Sequence, residues 1–151
     1  MNHKVLISAC ILGKRVRYDA KLKSYDIGLL NKDNIELIAC CPEVDGGLLI
    51  PRASSEIQPD GKVINSLGVD VTKAFSEGAN QALNLVKYYD IQVAILKAKS
   101  PSCSNALIYD GTFSGILTKG KGITVRLLEA QGIKVFDETE IEEALRYLSD
   151  L

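Results

Sequence analysis

Apolar residues gather in four short runs along the chain, Lys4 to Ala9, Ile35 to Cys40, Ile91 to Leu96 and Ile133 to Phe136. Short apolar runs bounded by turn residues predict buried strands. Pro42 closes the second run, because proline has no N–H to give a central ladder. Helical spacing appears elsewhere. Val71, Phe75, Ala79, Ala82, Leu83 and Val86 fall on one helical face between Val69 and Asp90, with Ser66 or Asp70 available as a cap. Ile123 to Ala130 repeats that spacing and stops at Gly132. Thr139 to Leu148 reads as a closing amphipathic helix, with Thr139 and Glu142 in capping-box positions. Tyr25 to Asn31 predicts a short helix after a basic loop from Ile11 to Lys23.

The remaining segments are rich in turn formers. Asp45 to Gly68 contains Gly46-Gly47, Pro51 and Pro59, and predicts a long functional loop with a small hairpin at Asp60-Gly61. Lys99 to Cys103 reads as a turn around Pro101, and Asn105 to Gly122 as a glycine-rich succession of turns. Strands alternating with helices in this way predict an α/β fold, a single Rossmann-like domain over residues 1–151 with a mainly parallel sheet. In such sheets ligands bind beyond the carboxyl ends of the strands.

Composition narrows the function. Of 151 residues, 46% are hydrophobic and 25% charged, so a core can form without disulfide staples. The formal net charge of −1 argues against a DNA-binding protein or a standing basic platform for RNA. No apolar run is long enough to span a membrane. Ile7-Ser8-Ala9-Cys10 has the shape of a lipoprotein cleavage site, but only Val5, Leu6 and Ile7 precede it as apolar residues, too few for a signal segment. The expected compartment is the cytoplasm.

In a reducing compartment the four cysteines, Cys10, Cys40, Cys41 and Cys103, read as metal ligands or reactive thiols. Three strand-like runs end at Cys10, at Cys40-Cys41 and shortly before Cys103. A parallel sheet brings those ends to one edge and predicts a three-cysteine site built from three loops. Three thiolates suit zinc, copper(I) or an iron–sulfur cluster. No CxxC pair is present, and His3 is the only histidine, so the common zinc patterns find little support. A cubane held by three thiolates leaves one iron open to a sulfur-bearing substrate.

Several motifs then stand together: Ser8-Ala9-Cys10 with Leu12-Gly13, Val16-Arg17-Tyr18-Asp19, Cys41-Pro42-Glu43, Gly47-Leu48 with Pro51-Arg52, Ser100-Pro101-Ser102-Cys103, and Tyr109-Asp110-Gly111-Thr112-Phe113-Ser114-Gly115. In these the chain resembles, over nearly its whole length, the bacterial domain of unknown function 523 family, whose studied members are thiouracil desulfurases. The resemblance implies a 4Fe–4S cluster held by Cys10, Cys41 and Cys103 with one open iron. It also implies catalytic roles for Glu43 and Ser100. The substrate it implies is a thiolated pyrimidine such as 2-thiouracil, with a thiolated nucleoside or tRNA base as further options. Ala20 and Ser104 stand where the resemblance leads one to expect glycine, and Cys40 is an additional cysteine beside a ligand.

The plainer readings of these residues are specific too. Neighbours on a strand face opposite sides, so Cys40 is expected to point into the core. Glu43 is otherwise a solvated loop carboxylate, and Ser100 and Ser102 are turn formers around Pro101. Arg17 and Arg52, with Ser102, are candidate substrate- or anion-binding residues, the arginines alternatively simple surface charges. Gly115 to Lys121 matches a phosphate-loop spacing, but Gly122 occupies the place of the magnesium-binding hydroxyl. Its exposed N–H groups remain a candidate anion site. The competing function is a non-catalytic cluster or metal protein acting as a sensor or structural element. A cysteine-nucleophile enzyme would lack a histidine base.

Overall fold

The computed structural model describes residues 2–151. Its centre is a four-stranded parallel sheet of β1 (His3–Ser8), β2 (Ile35–Cys40), β5 (Val93–Ile95) and β8 (Lys134–Phe136), in the order β2-β1-β5-β8. The register pairs Ser8 with Cys40 and Ile7 with Ile95, so β1, β2 and β5 end close together. Side chains alternate across β1 as strand geometry requires. Leu6 faces a core built with α2 (Thr72–Tyr89) and α3 (Ile123–Ala130), through Ala82, Val86, Val125 and Leu128. Val5 and Ile7 face the other core, closed by Ile141, Ala144 and Leu148 of α4 (Ile141–Ser149) and by Leu30 in a single 3-10 turn, Gly28–Leu30. The sheet thus lies between two layers, as the alternation of elements predicts.

The long loop after β2 is more ordered than its composition suggests. It opens with a one-turn helix, α1 (Pro42–Asp45), and contains an antiparallel hairpin of β3 (Ser55–Ile57) and β4 (Val63–Asn65) turning at Asp60-Gly61. A second hairpin, β6 (Leu107–Tyr109) and β7 (Leu117–Lys119), occupies the segment expected to be turns alone. Ile57, Val63 and Ile108 from the two hairpins bury Phe75 of α2 in a third small core.

Two local expectations are corrected. The helix expected over Tyr25 to Asn31 is only the 3-10 turn. The capping box at Thr139 and Glu142 does not form, because α4 starts two residues later, at Ile141, with Glu140 in the cap position. Asp137 has taken the Thr139 N–H and hydroxyl, at 2.8 and 2.5 Å. No helix among the described residues is long and apolar enough to cross a membrane.

Candidate metal centre

Cys10 follows β1, Cys41 follows β2 and Cys103 lies in the turn after β5, so all three stand beyond the carboxyl ends of adjacent parallel strands. Each is held by local chemistry. Cys10 begins a tight turn in which Gly13 N–H donates to the Cys10 carbonyl at 3.2 Å, with Gly13 at φ +85°. Cys41 is the N-cap of α1, with Pro42 at the first helical position, where a missing N–H costs nothing. Its N–H donates to Asp45 Oδ2 at 3.1 Å, and its Sγ lies 3.9 Å from the Val16 carbonyl. Cys103 is set by Ser100. Ser100 Oγ accepts the N–H groups of Ser102 and Cys103 at 3.1 and 3.0 Å, while its carbonyl accepts Ser104 N–H. With both lone pairs taken, Ser100 keeps only its O–H to offer a ligand, so it can act there as a donor and not as a base.

Burial raises every one of these thiols above its ordinary pKa. Cys10 is pushed up to about 11, by burial first and then by the nearby Cys41. Cys103 is pushed up to about 12 by burial, with Glu43, Cys10 and Cys41 adding to it and the Ser8 hydroxyl opposing. Cys41 is raised by burial despite the opposing Val44 N–H. The thiols therefore lie within reach of one another's charge. Yet among the described residues no three His, Cys, Asp or Glu side chains are grouped as a set around one metal ion. Cys40 is 3% exposed and packs in the α2–α3 core with Leu6 and Ala82, as strand alternation predicts.

Glu43, on α1, is bound by Arg52 Nε to its Oε1 at 3.1 Å. The Glu43 Oε2 has no protein hydrogen bond among the described residues, which leaves it open to water. Arg52 also donates from Nη1 to the Leu49 carbonyl and from Nη2 to the Val16 carbonyl, both at 3.1 Å. Arg17 is paired with Asp19 at 3.3 Å through two nitrogens. It lies near enough to Cys10 to oppose the rise of its thiol. Ser102 is set apart: it is fully buried, and its hydroxyl pairs with Thr124 of α3 at 2.7 Å.

The structure adds residues that sequence patterns did not single out. Lys97 and Glu138 follow β5 and β8 and form an ion pair at 2.8 Å, with Lys97 Nζ 5.9 Å from the centre of the Tyr25 ring. Both carry charge that acts on Cys10. Burial works against the Glu138 charge, but Lys97 and the Ala98 N–H at 2.7 Å outweigh it and hold the carboxyl below its usual value. Ser8 Oγ, buried at the end of β1, accepts the Lys97 N–H at 2.9 Å. The rule that sites lie beyond strand ends would have flagged Lys97 and Glu138 beside Ser8, which stands in the first cysteine motif. Among the described residues the buried Tyr25 hydroxyl has no partner within hydrogen-bond distance, though the Arg17 guanidinium lies near it.

The phosphate-loop resemblance dissolves. The first N–H groups of α3 are all taken by the Cys103 turn: Gly122 donates to Ser104, Ile123 to Pro101, and Thr124 and Val125 to Ser102. Among the described residues, the start of α3 therefore keeps no free N–H to cradle an anion.

The motifs and their geometry have a known counterpart, since residues 5–140 match the 2-thiouracil desulfurase family. The chain belongs to that family. The uncharacterized protein YbbK of Bacillus subtilis (strain 168) is 33% identical over 93% of this chain and 99% of its own length. A solved structure titled a 4Fe–4S-dependent thiouracil desulfidase, TudS, superposes with a TM-score of 0.92 at 40% identity. That match covers 99% of this chain and all of the other. The desulfurase fold therefore extends over essentially the whole chain.

Proposed function

We propose that this protein is a 4Fe–4S-dependent desulfidase that converts a thiolated pyrimidine, 2-thiouracil as the prototype, to its oxo form with release of sulfide. The carrying observation is that Cys10 and Cys41, half-buried, and Cys103, buried, follow three neighbouring strand ends, with Glu43 close enough to act on Cys41 and Cys103, in a chain that matches a thiouracil desulfidase over 99% of its length.

The donors suit such a cluster. Three thiols, each costly to ionise alone, gain their charge against a cationic iron–sulfur core, and no histidine joins them. Cys10, Cys41 and Cys103 would hold it. Bound there, the cluster would supply a thiophilic Lewis acid, its fourth iron having no protein ligand.

The chain's own groups do the rest. Glu43, anchored through Oε1, uses Oε2 to take a proton from a water aimed at the thiocarbonyl carbon. Ser100 donates a hydrogen bond to the pyrimidine. The thiocarbonyl carbon gains oxygen from water and loses sulfur, which departs as hydrogen sulfide with water's two protons. No electrons are exchanged, so no external donor is required. The near-neutral chain favours a small base or nucleoside over tRNA, whose phosphates need clustered cations. A cytoplasmic setting accords with four free cysteines.

The test is anaerobic turnover of 2-thiouracil by wild type and Glu43→Gln. The variant is expected to keep its visible absorbance, iron and sulfide while losing turnover roughly 100-fold or more. Full activity in the variant would remove Glu43 from the reaction. A wild-type protein that takes up zinc but never a cluster would favour the sensor reading.

A further inference from the structure

Glu43 sits on a helix of one turn, which fixes its backbone but leaves three side-chain torsions to settle. What settles them is Arg52. Its side chain is only 8% exposed, and each of its three nitrogens has a protein acceptor: Glu43 Oε1, the Leu49 carbonyl and the Val16 carbonyl. The two carbonyls belong to different loops, one following β1 and Cys10, the other preceding β3. Val16 O also faces Cys41 Sγ. Arg52 N–H in turn donates to the Tyr18 carbonyl at 2.7 Å, closing the same pair of loops. The guanidinium is thus a rigid joint between the carboxylate and the segments that carry two of the thiols.

We propose that Arg52 is a positioning residue for the desulfuration reaction, holding the Glu43 carboxylate in register with the thiol site without touching the substrate. The proposal rests on the reading of Glu43 as the base. It differs from a substrate-binding role in which limb of the kinetics it controls. A residue that fixes a general base changes kcat, whereas one that binds ground state and transition state alike changes KM. Lysine cannot replace it, because a point charge cannot span one carboxylate and two carbonyls in a plane.

The experiment compares wild type, Arg52→Ala, Arg52→Lys, Glu43→Gln and the double variant Glu43→Gln/Arg52→Ala with 2-thiouracil, without oxygen. Iron, sulfide and the visible spectrum are measured on each. The expected result is a fall in kcat of roughly 10–100-fold in both Arg52 variants, with KM changed less than about twofold and cluster content retained. On the Glu43→Gln background, removing Arg52 should then cost nothing further. If Arg52→Ala loses its cluster, Arg52→Lys, which keeps the charge, carries the comparison. A raised KM with kcat intact would overturn the proposal in favour of substrate binding. Losses that multiply in the double variant would overturn it while leaving Glu43 as the base. Full turnover by Glu43→Gln alone would instead bring down the reading of Glu43, and the positioning role with it.

Discussion

Cys10, Cys41 and Cys103 show how far a residue's surroundings decide its chemistry. A thiol raised to about 11 or 12 is almost wholly protonated at neutral pH, and so a poor nucleophile. This argues against a cysteine-nucleophile enzyme more directly than the lack of a histidine base. The same shifts have a consequence for stability. Unfolded thiols ionise near 9.0, folded Cys10 near 11 and Cys103 near 12. Across that window the unfolded chain releases protons first, so the fold loses stability as pH rises, with no loss from these groups below about 9. Denaturant titrations of the reduced, metal-free protein should show stability falling between about pH 9 and 12. Cys10→Ser should fall less steeply. Identical slopes would mean that Cys10 is not held protonated by the fold. Among the candidate residues, the position of the three cysteines beyond strand ends was legible from the strand pattern, whereas Glu43 was singled out through the family resemblance. The partners of Arg17 and Arg52 were not, because a surface-type side chain chooses its partners from loops distant in sequence.

At the scale of elements, the site depends on how closely α1 lies on α2. A side chain at Gly78 would collide with the Pro42 backbone, and one at Gly46 with Ala74 and Gly78. On propensity alone, Gly78→Ala in the middle of α2 would stabilise by up to about 1 kcal/mol. Here the added methyl meets backbone and not a flexible side chain, and overpacking of that kind costs about 1–3 kcal/mol. Gly78→Ala should therefore lower the urea midpoint and, by pushing α1 outward, reduce both iron content and turnover. A more stable variant with full iron would show that α1 can move without loss. Gly122 is similar, since its missing Cβ lets α3 dock against the Ser102 carbonyl and the Cys103 N–H. The helix periods of α2 and α3 were readable, but these contacts were not. Nor were α1 and the β6–β7 hairpin, which are too short for periodicity: α1 is held by its close approach to α2, and the hairpin by the pairing of its own strands and by Ile108 packed in the Phe75 core.

For the whole molecule, the strand order β2-β1-β5-β8 places the three thiol-bearing ends side by side. Two of the loops that carry them, residues 10–20 and 41–52, have little regular structure beyond α1 and are tied together by Arg52. A group that binds only the folded arrangement stabilises it by mass action. Loading the cluster without oxygen should therefore raise the melting temperature, and hydrogen exchange should slow most in those two loops. Equal melting temperatures with and without iron would indicate that the loops are already fixed and that the cluster adds nothing to the fold. The Lys97–Glu138 pair, beyond β5 and β8, lies on the same edge and completes the charged surroundings of Cys10.

The sequence by itself determined the α/β alternation, the four core strands, the three amphipathic helices and the placement of three cysteines beyond strand ends. Each of these follows from local pattern plus the rule that parallel strands share a carboxyl edge. The motif set also pointed to the thiouracil desulfurase family, and the full-length match agrees. Only the tertiary structure decided which polar groups remain free. It closed the apparent phosphate loop by giving the α3 N–H groups to the Cys103 turn, and it sent the Ser102 hydroxyl inward to Thr124. It also tied Arg52 to Glu43 across two loops. Hydrogen-bond capacity is exhausted by whichever partner folding brings near, and nearness between distant loops is set by packing, not by any local pattern in the chain.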